Sequence, residues 1–337
     1  MRRRRLLKMN KREMQERGWE LPPVFIASYH RPDELRSVKT FKELGYPASL
    51  LNVMIDDEAG DEEAYREACR QEGVALRVFS QKEAREEYDF VTRPLRERRS
   101  GGIARNQAWK LAAAMGAEQF IVVDDDTRHF EYRPFGLWAC KLKGEEGRRR
   151  FLSMVHSLAA FQISHRLGVV GIAQTGETFA SLGDRGPDRL LARRKVMNFC
   201  MYLTDFVHGG EVGQMDCDTL QYLHTGGVGL LTLSLRSGIV LQQVPSPQKK
   251  GGEAATYRHG GMVTKVANDV ICYPSAVVGE VQPMNGNKLH HKISNRYAYP
   301  CLLRRPAGEG NNIAWNTYQE DMPFTSLPQR RWHYVED

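Results

Sequence analysis

Three consecutive aspartates, Asp124, Asp125 and Asp126, follow the apolar run Phe120–Val123. Carboxylate oxygens are hard ligands that suit Mg²⁺ or Mn²⁺, and such a cation can bridge a diphosphate. In an extended chain the side chains of Asp124 and Asp126 turn toward the same side. Three acids that follow a buried strand would repel one another without a cation. The pattern therefore predicts a metal site, with an acidic turn or a helix cap as the alternative.

Strands that alternate with helices are expected to position these aspartates. Apolar and aromatic runs predict strands near 24–32, 50–58, 75–80 and 120–123. Helices are expected near 60–72 and from the Gly-Gly pair at 101–102 to Gly116, and the polar segment 81–100 reads as a loop or a mobile helix. This alternation indicates an α/β fold with a mostly parallel sheet flanked by helices on both faces. Ligands of such sheets bind outside the carboxyl ends of the strands.

The second half of the chain is less regular. A helix near 148–166 is expected to precede strands at 168–173 and 196–205, and glycine-rich loops with short strands follow. The sequence contains no internal repeat, and no low-complexity linker divides it into two domains. The sequence therefore predicts one domain over 21–337, with a nucleotide-binding part at about 21–130, an acceptor part at about 131–337 and a basic arm at 1–20.

Composition narrows the class of protein. Hydrophobic residues make up 41% and charged residues 26% of the 337 residues, which is typical of a globular protein and argues against disorder. No run of about 18 apolar residues occurs, so no membrane contact is predicted. The basic start lacks the apolar stretch of a secretory signal, and the six cysteines contain no CxxC pair. A cytoplasmic protein with free thiols is expected.

The positive charge is concentrated at the start of the chain. Residues 1–20 hold eight Lys or Arg against three Glu, which supplies five of the seven net positive charges. A basic arm on a nearly neutral body suits contact with a polyanion through counterion release. A solvated tail or a targeting segment is the alternative.

Five ordered segments resemble the nucleotide-sugar glycosyltransferases of the GT-A fold. They are the aspartate triplet itself together with VFIASYHRP (24–32), MIDDE (54–58), GGIARNQAWKLA (101–112) and MDCDTLQYLHTGG (215–227). The resemblance implies a GT-A type, Rossmann-like mixed sheet, a UDP-sugar donor and Mn²⁺ or Mg²⁺. It also implies donor-binding roles for residues in these segments, namely Ser28, Tyr29, Arg31, Asp56, Gly102, Arg105, Asn106, Asp124 and Asp125.

The resemblance further implies an acceptor base and a late metal ligand. Met215 stands where the family usually has Glu, so the base is left among Asp216, Asp218 and Glu211. A late histidine often completes the metal site of this fold. The candidates are His259, His290 and His291. We prefer His291 as the metal ligand that joins Asp124 and Asp126, since Lys292 would then face the departing diphosphate. The spacing of the terminal QRRW does not match the QxxRW motif of processive synthases, so a single transfer is expected.

GGEAATYRHGG (251–261) and KLHHKISNRYAY (288–299) look like the phage glycosyltransferases associated with TET-type oxygenases. That resemblance implies transfer to the hydroxyl of a hydroxymethylated pyrimidine in DNA, with the base flipped out, in host cytoplasm. A glycosyltransferase acting on a protein or glycan hydroxyl is one alternative. A non-catalytic DNA-binding protein and, more weakly, a metal nuclease are others.

Overall fold

The structure is a computed structural model. It describes residues 21–92, 100–133, 139–165, 167–174, 191–192, 195–205, 211–227, 230–235, 238–243, 261–282 and 288–293. The basic arm at 1–20 and the candidate His259 lie outside these residues, and the proposed domain division stays a prediction.

A mixed sheet of eight described strands forms the centre of the protein, in the order β3-β2-β1-β4-β9-β7-β10-β8. Strands β1 to β4, β7 and β10 run parallel, and β9 and β8 run antiparallel to their neighbours. The strands are β1 (Val24–Ala27), β2 (Leu51–Asp56), β3 (Ala75–Phe79), β4 (Gln119–Asp124), β7 (Val169–Ile172), β8 (Leu191–Ala192), β9 (Phe199–Leu203) and β10 (Thr232–Leu235).

Two smaller sheets complete the strand set of the described residues. One is antiparallel, with the order β11-β5-β6, and is formed by β5 (Thr127–Arg133), β6 (Cys140–Lys141) and β11 (Gly238–Gln243). The other is the hairpin of β12 (Val277–Gln282) and β13 (Lys288–Ile293). Because β5 begins directly after the aspartate triplet, the chain leaves the main sheet at that point.

Seven described α-helices accompany the sheets. They are α1 (Arg36–Glu43), α2 (Glu62–Glu72), α3 (Gln81–Glu87), α4 (Gly101–Ala114), α5 (Gly144–His165), α6 (Cys217–Gly227) and α7 (Met262–Cys272), and short 3-10 helices lie at Pro32–Glu34 and Ala48–Leu50. No described helix is long and apolar enough to cross a membrane.

Apolar residues on the two faces of the sheet form separate cores. Val24 and Ile26 of β1 point to one face, where the rings of Phe41 and Phe151 pack edge to face. Phe25, between them in sequence, points to the other face and packs on Phe120. This alternation along fully buried strands explains the continuous apolar runs, and it confirms the predicted mostly parallel α/β sheet with helices on both faces.

The helix predicted to start at the Gly-Gly pair is confirmed as α4: Gly101 and Gly102 form its first turn, which the side chain of Ser100 caps. Part of the segment read as a loop or mobile helix is the regular helix α3. Helix α7 has no counterpart among the elements predicted in the less regular half. Gly116 ends α4 in the left-handed conformation, as expected.

Candidate active site

The carboxyl ends of β1, β2 and β4 meet at one edge of the main sheet. Ala27 pairs with both Met54 and Asp124, so the residues that follow these three strands emerge side by side. Strand β9 runs the other way, and Phe199 pairs with Val123. Residues 195–198 therefore reach this same edge from the opposite direction.

The side chain of Asp125 is turned inward and holds the loop that follows β1. Its carboxylate accepts a hydrogen bond of 2.5 Å from Ser28 Oγ and lies 2.9 Å from Arg31 Nη2. The Tyr65 hydroxyl bonds Ser28 Oγ and accepts the Arg31 backbone N–H at 2.9 Å. Burial raises the pKa of Asp125 to about 7, although Arg31 and Ser28 act to lower it. Asp125 therefore orders the predicted donor-binding loop.

Ser37, on α1, fixes the backbone of the aspartate triplet. Its hydroxyl donates to the Asp124 carbonyl at 2.5 Å and accepts the Thr127 N–H at 3.0 Å, while its own N–H bonds the Asp125 carbonyl. The triplet is thus held on both sides by a fully buried serine. The turn that presents Asp124 and Asp126 is consequently a rigid element.

Two further predicted donor-binding residues lie at this edge. Asp56 ends β2, is buried, and accepts the Glu58 backbone N–H at 3.1 Å. Tyr29 follows β1 and is half-buried, with its ring against His30. Their positions at adjacent strand ends are those that the sequence predicted.

The predicted residues Arg105 and Asn106 of α4 bind protein groups. Arg105 Nη1 lies 3.3 Å from the buried Glu211 carboxylate, and Arg105 Nη2 donates to the Met197 carbonyl at 3.3 Å. The Asn106 amide exchanges two hydrogen bonds with the Glu211 backbone, at 2.9 and 2.7 Å. These contacts fasten the segment before α6 to α4.

Gly102 is the position at which α4 approaches its surroundings most closely. A Cβ there would overlap the Tyr88 hydroxyl and come within 3.2 Å of the Glu211 Cβ. Tyr88 and Ser100 both donate to the Gly213 carbonyl, at 2.8 and 3.0 Å. The structure thus supplies a packing reason for glycine at 102.

Asp216 lies at the centre of a buried charged group. Its Oδ1 is 3.5 Å from Lys195 Nζ and 3.1 Å from Lys265 Nζ, and its Oδ2 is 2.8 Å from His291 Nδ1. His291 Nδ1 is also 2.8 Å from Asp269 Oδ2. Asp216 adopts a φ of 62°, in the left-handed region that is uncommon for residues other than glycine.

The electrostatics of this group follow from its pairing. Burial alone would raise the pKa of Asp216, but His291 and the two lysines outweigh it and hold that pKa far below its usual range. Burial raises the pKa of Asp269 to about 7. For His291 burial acts to lower the pKa, yet the two carboxylates raise it to about 9.

The three predicted base candidates have different surroundings. The side chains of Glu211 and Asp216 are 1% and 4% exposed, whereas that of Asp218 is 16% exposed. Asp218 lies in the first turn of α6, 2.8 Å from Lys195 Nζ. Of the three, Asp218 is the carboxylate that an acceptor reaches most easily.

The two residues of β13 that were predicted to belong to the site, His291 and Lys292, lie in different surroundings. His291 is buried with Asp216 and Asp269, and among the described residues this is the group of three metal-ligand side chains that the structure brings together. It does not contain Asp124 or Asp126. Lys292 points away, is 66% exposed and pairs with Glu280 at 3.3 Å. Its predicted contact with a diphosphate is therefore not supported by this orientation.

Sequence reasoning missed four residues of the site, namely Ser37, Lys195, Lys265 and Asp269. Asp269 and its neighbour Asn268 are fully buried on α7. In the sequence these two polar residues stand between the apolar pairs 266–267 and 270–271, which is a detectable sign of buried pairing.

Comparison with known proteins finds remote structural likeness. No protein-family profile and no curated protein matches the chain. Glucosyl-3-phosphoglycerate synthase from Mycobacterium tuberculosis, crystallised with Mn²⁺, UDP and phosphoglyceric acid, is 13% identical, covers 84% of this chain and 90% of that chain, and gives a TM-score of 0.42. The same enzyme with Mn²⁺, UDP-glucose and phosphoglyceric acid is 12% identical. The match covers 88% of this chain and 96% of that chain, with a TM-score of 0.42. A structure described as a mycobacterial protein is 13% identical. The match covers 87% of this chain and 91% of that chain, with a TM-score of 0.43. At TM-scores this low, no role of a residue is inferred from the likeness.

Proposed function

We propose that this chain is a metal-dependent glycosyltransferase that moves a sugar from a UDP-sugar to an acceptor hydroxyl. The observation that carries the proposal is the convergence of Asp56, Arg31 and the aspartate triplet at the carboxyl edge of β1, β2 and β4. This edge is where open α/β sheets bind nucleotides. The GT-A resemblance of the same segments supports the same conclusion.

The donor set at the triplet fits a hard divalent cation. Asp125 is committed to Ser28 and Arg31, and the turn held by Ser37 carries the carboxylates of Asp124 and Asp126. Carboxylate oxygens suit Mn²⁺ or Mg²⁺. When bound, such a cation neutralises negative charge on the departing diphosphate. Asp124 and Asp126 would hold it, and the ordered loop with Arg31 and Tyr29 would hold the nucleotide.

Asp218 is the best-placed acceptor base of the three candidates. Asp216 is tied to two lysines and His291, and its lowered pKa makes it a weak proton acceptor. Glu211 is enclosed by Arg105 and accepts a hydrogen bond from the Tyr202 hydroxyl. Asp218→Asn should therefore lower kcat while the affinity for UDP is retained.

UDP binding in the presence of Mn²⁺ tests the donor site. Asp126→Ala should weaken binding about 10- to 100-fold, the range expected when a charge-assisted contact is lost. Asp33→Ala removes an exposed carboxylate from the 3-10 helix that follows β1, and it serves as the control with unchanged affinity. UDP binding that is insensitive to both Mn²⁺ and Asp126→Ala would refute the donor site.

For the acceptor we propose the hydroxyl of a hydroxymethylated pyrimidine in DNA, presented as a flipped-out base. The support comes from the sequence: the basic arm at 1–20 and the resemblance of 251–261 and 288–299 to phage DNA-base glycosyltransferases. Mass spectrometry of hydroxymethylpyrimidine DNA after incubation with UDP-sugars and Mn²⁺ tests it. A hexose-sized or N-acetylhexosamine-sized gain that Asp126→Ala abolishes is expected.

Two other outcomes identify the alternatives. Hydrolysis of the donor without DNA modification would retain the glycosyltransferase and exclude the DNA acceptor, which leaves a protein or glycan hydroxyl. DNA binding that is indifferent to UDP, Mn²⁺ and Asp126→Ala would instead indicate a non-catalytic DNA-binding protein.

A further inference from the structure

Asp216, Asp269 and His291 bring three metal-ligand atoms together inside the protein. His291 Nδ1 lies 2.8 Å from Asp216 Oδ2 and 2.8 Å from Asp269 Oδ2. The three residues come from separate parts of the chain, since Asp216 precedes α6, Asp269 lies on α7 and His291 lies on β13. All three are at least nine-tenths buried.

Hydrogen bonds of good geometry leave part of this group unsatisfied. Asp216 Oδ2, both oxygens of Asp269 and His291 Nδ1 have no partner with hydrogen-bond geometry among the described residues. One ring N–H cannot serve two carboxylates that face it from different elements. A buried carboxylate oxygen without a hydrogen bond is unfavourable. The group therefore lacks a component that binds all three atoms at once.

The spacing of the atoms matches adjacent ligands on one cation. Carboxylate oxygens and imidazole nitrogens bind divalent metals at about 2.0–2.2 Å. Two ligands at a right angle and about 2.0 Å from a cation are about 2.8 Å apart, the separation seen on both edges here. A six-coordinate ion would bind these three atoms and leave its other positions to water or to a ligand.

The two lysines beside Asp216 leave its Oδ2 available to a cation. Lys195 and Lys265 approach Asp216 through Oδ1, whereas Oδ2 is the oxygen that faces His291. A cation bound at His291 Nδ1 takes the place of a proton there. With His291 then neutral and Asp216, Asp218 and Asp269 ionised, the two lysines leave one net negative charge to balance the cation. Two carboxylates and one imidazole suit a first-row ion such as Mn²⁺.

We propose that Asp216, Asp269 and His291 form a divalent cation site separate from the one at Asp124 and Asp126. The site needs no nucleotide, because all three ligands come from the protein. It does not depend on the proposed glycosyl transfer. A cation there joins α6, α7 and the β12–β13 hairpin, and it makes Asp216 a metal ligand.

Titration of the metal-free full-length protein with Mn²⁺ alone, without UDP, tests this site. Calorimetry measures the affinity, and electron spin-echo spectroscopy detects a nitrogen bound directly to Mn²⁺. A nitrogen signal is expected in the wild type. His291→Gln should remove that signal, and Asp269→Asn should weaken the nitrogen-bound Mn²⁺ at least tenfold. His290→Gln changes the neighbouring ring on β13 and should leave the signal intact.

Asp126→Ala separates this inference from the proposed donor site, and it should leave the nitrogen signal unchanged. Loss of the signal in Asp126→Ala would instead place His291 on the triplet's metal and overturn the proposal. Absence of the signal in the wild type, or its persistence in His291→Gln, would also overturn it. If neither His291→Gln nor Asp269→Asn folds, Lys265→Met provides a third variant. The nitrogen signal should persist in it, since that lysine contacts the other oxygen of Asp216. Loss of the signal would count against the site.

Discussion

Arg105 and Glu211 form a buried ion pair that joins α4 to the segment leading into α6. Arg105 Nη1 is 3.3 Å from the Glu211 carboxylate, which also accepts a hydrogen bond from Tyr202. Burial acts to lower the pKa of Arg105, but Glu211 outweighs it and raises that pKa. Arg105 therefore carries its charge inside the protein, and its contacts tie α4 to the segment that leads into α6.

Removing the cation of this pair should destabilise the protein strongly. Arg105→Met leaves the Glu211 carboxylate buried and unpaired, which costs about 3–5 kcal/mol of unfolding free energy. In the double variant Arg105→Met/Glu211→Gln much of that loss should be recovered, because no charge remains buried. Urea unfolding of the wild type, the two single variants and the double variant measures the free energies of unfolding. Additive losses in the double variant would contradict the assignment.

The close packing at Gly102 provides a second prediction. Gly102→Ala brings a methyl group onto the Tyr88 hydroxyl and should destabilise the protein by about 1–3 kcal/mol. Tyr88→Phe removes that hydroxyl together with its hydrogen bond to Gly213. Combining both substitutions should cost less than the sum of the two, as measured by thermal unfolding. A fully additive result would show that the contact is unimportant.

The Tyr65 hydroxyl should affect donor binding without touching the donor. Tyr65→Phe removes contacts to Ser28 and to the Arg31 backbone, so the loop after β1 loses order. We expect about 1 kcal/mol lower stability and a UDP affinity weakened several-fold. Tyr46→Phe is the matched control. Its hydroxyl bonds the Pro22 carbonyl before β1, so stability should fall with UDP affinity unchanged.

The basic arm predicts a salt dependence for DNA binding. Replacing Arg2–Arg5 with alanine removes up to four phosphate contacts, and each contributes about 0.9 to the slope of log affinity against log salt. The slope should therefore flatten by roughly 3–4 units. Replacing the exposed Arg66 and Arg70 of α2 with alanine removes two positive charges outside the arm and serves as a control that should leave the slope unchanged. An unchanged slope in the arm variant would exclude the arm from DNA binding.

The sequence was sufficient for the parts of the fold that depend on local pattern. Mostly apolar runs identified β1, β2 and β4, and the triplet that begins with the last residue of β4 identified the carboxyl edge as the candidate site. Whether Asp124 and Asp126 bind a metal there stays a prediction. Local pattern was sufficient because a buried parallel strand and its terminal polar residues are adjacent in the chain.

The remainder of the site depends on contacts between distant residues. The role of Ser37 exists only because α1 packs beside the turn after β4, and nothing in its local sequence separates it from a surface serine. Likewise, Asp269 meets His291 through the packing of α7 on the hairpin. Tertiary pairing of this kind leaves no periodicity in the sequence.

The insertion of β9 between β4 and β7 affects how the chain reaches its native state. β9 follows β7 in the chain, so during synthesis β4 has a partner on one edge only until Phe199 and the residues after it emerge. Phe120 and Ile121, fully buried in the finished sheet, belong to that open edge. Open apolar edges promote aggregation, and sheets completed by distant strands form slowly. A chain that ends before Phe199 should therefore aggregate, which makes the short strand β9 a determinant of solubility.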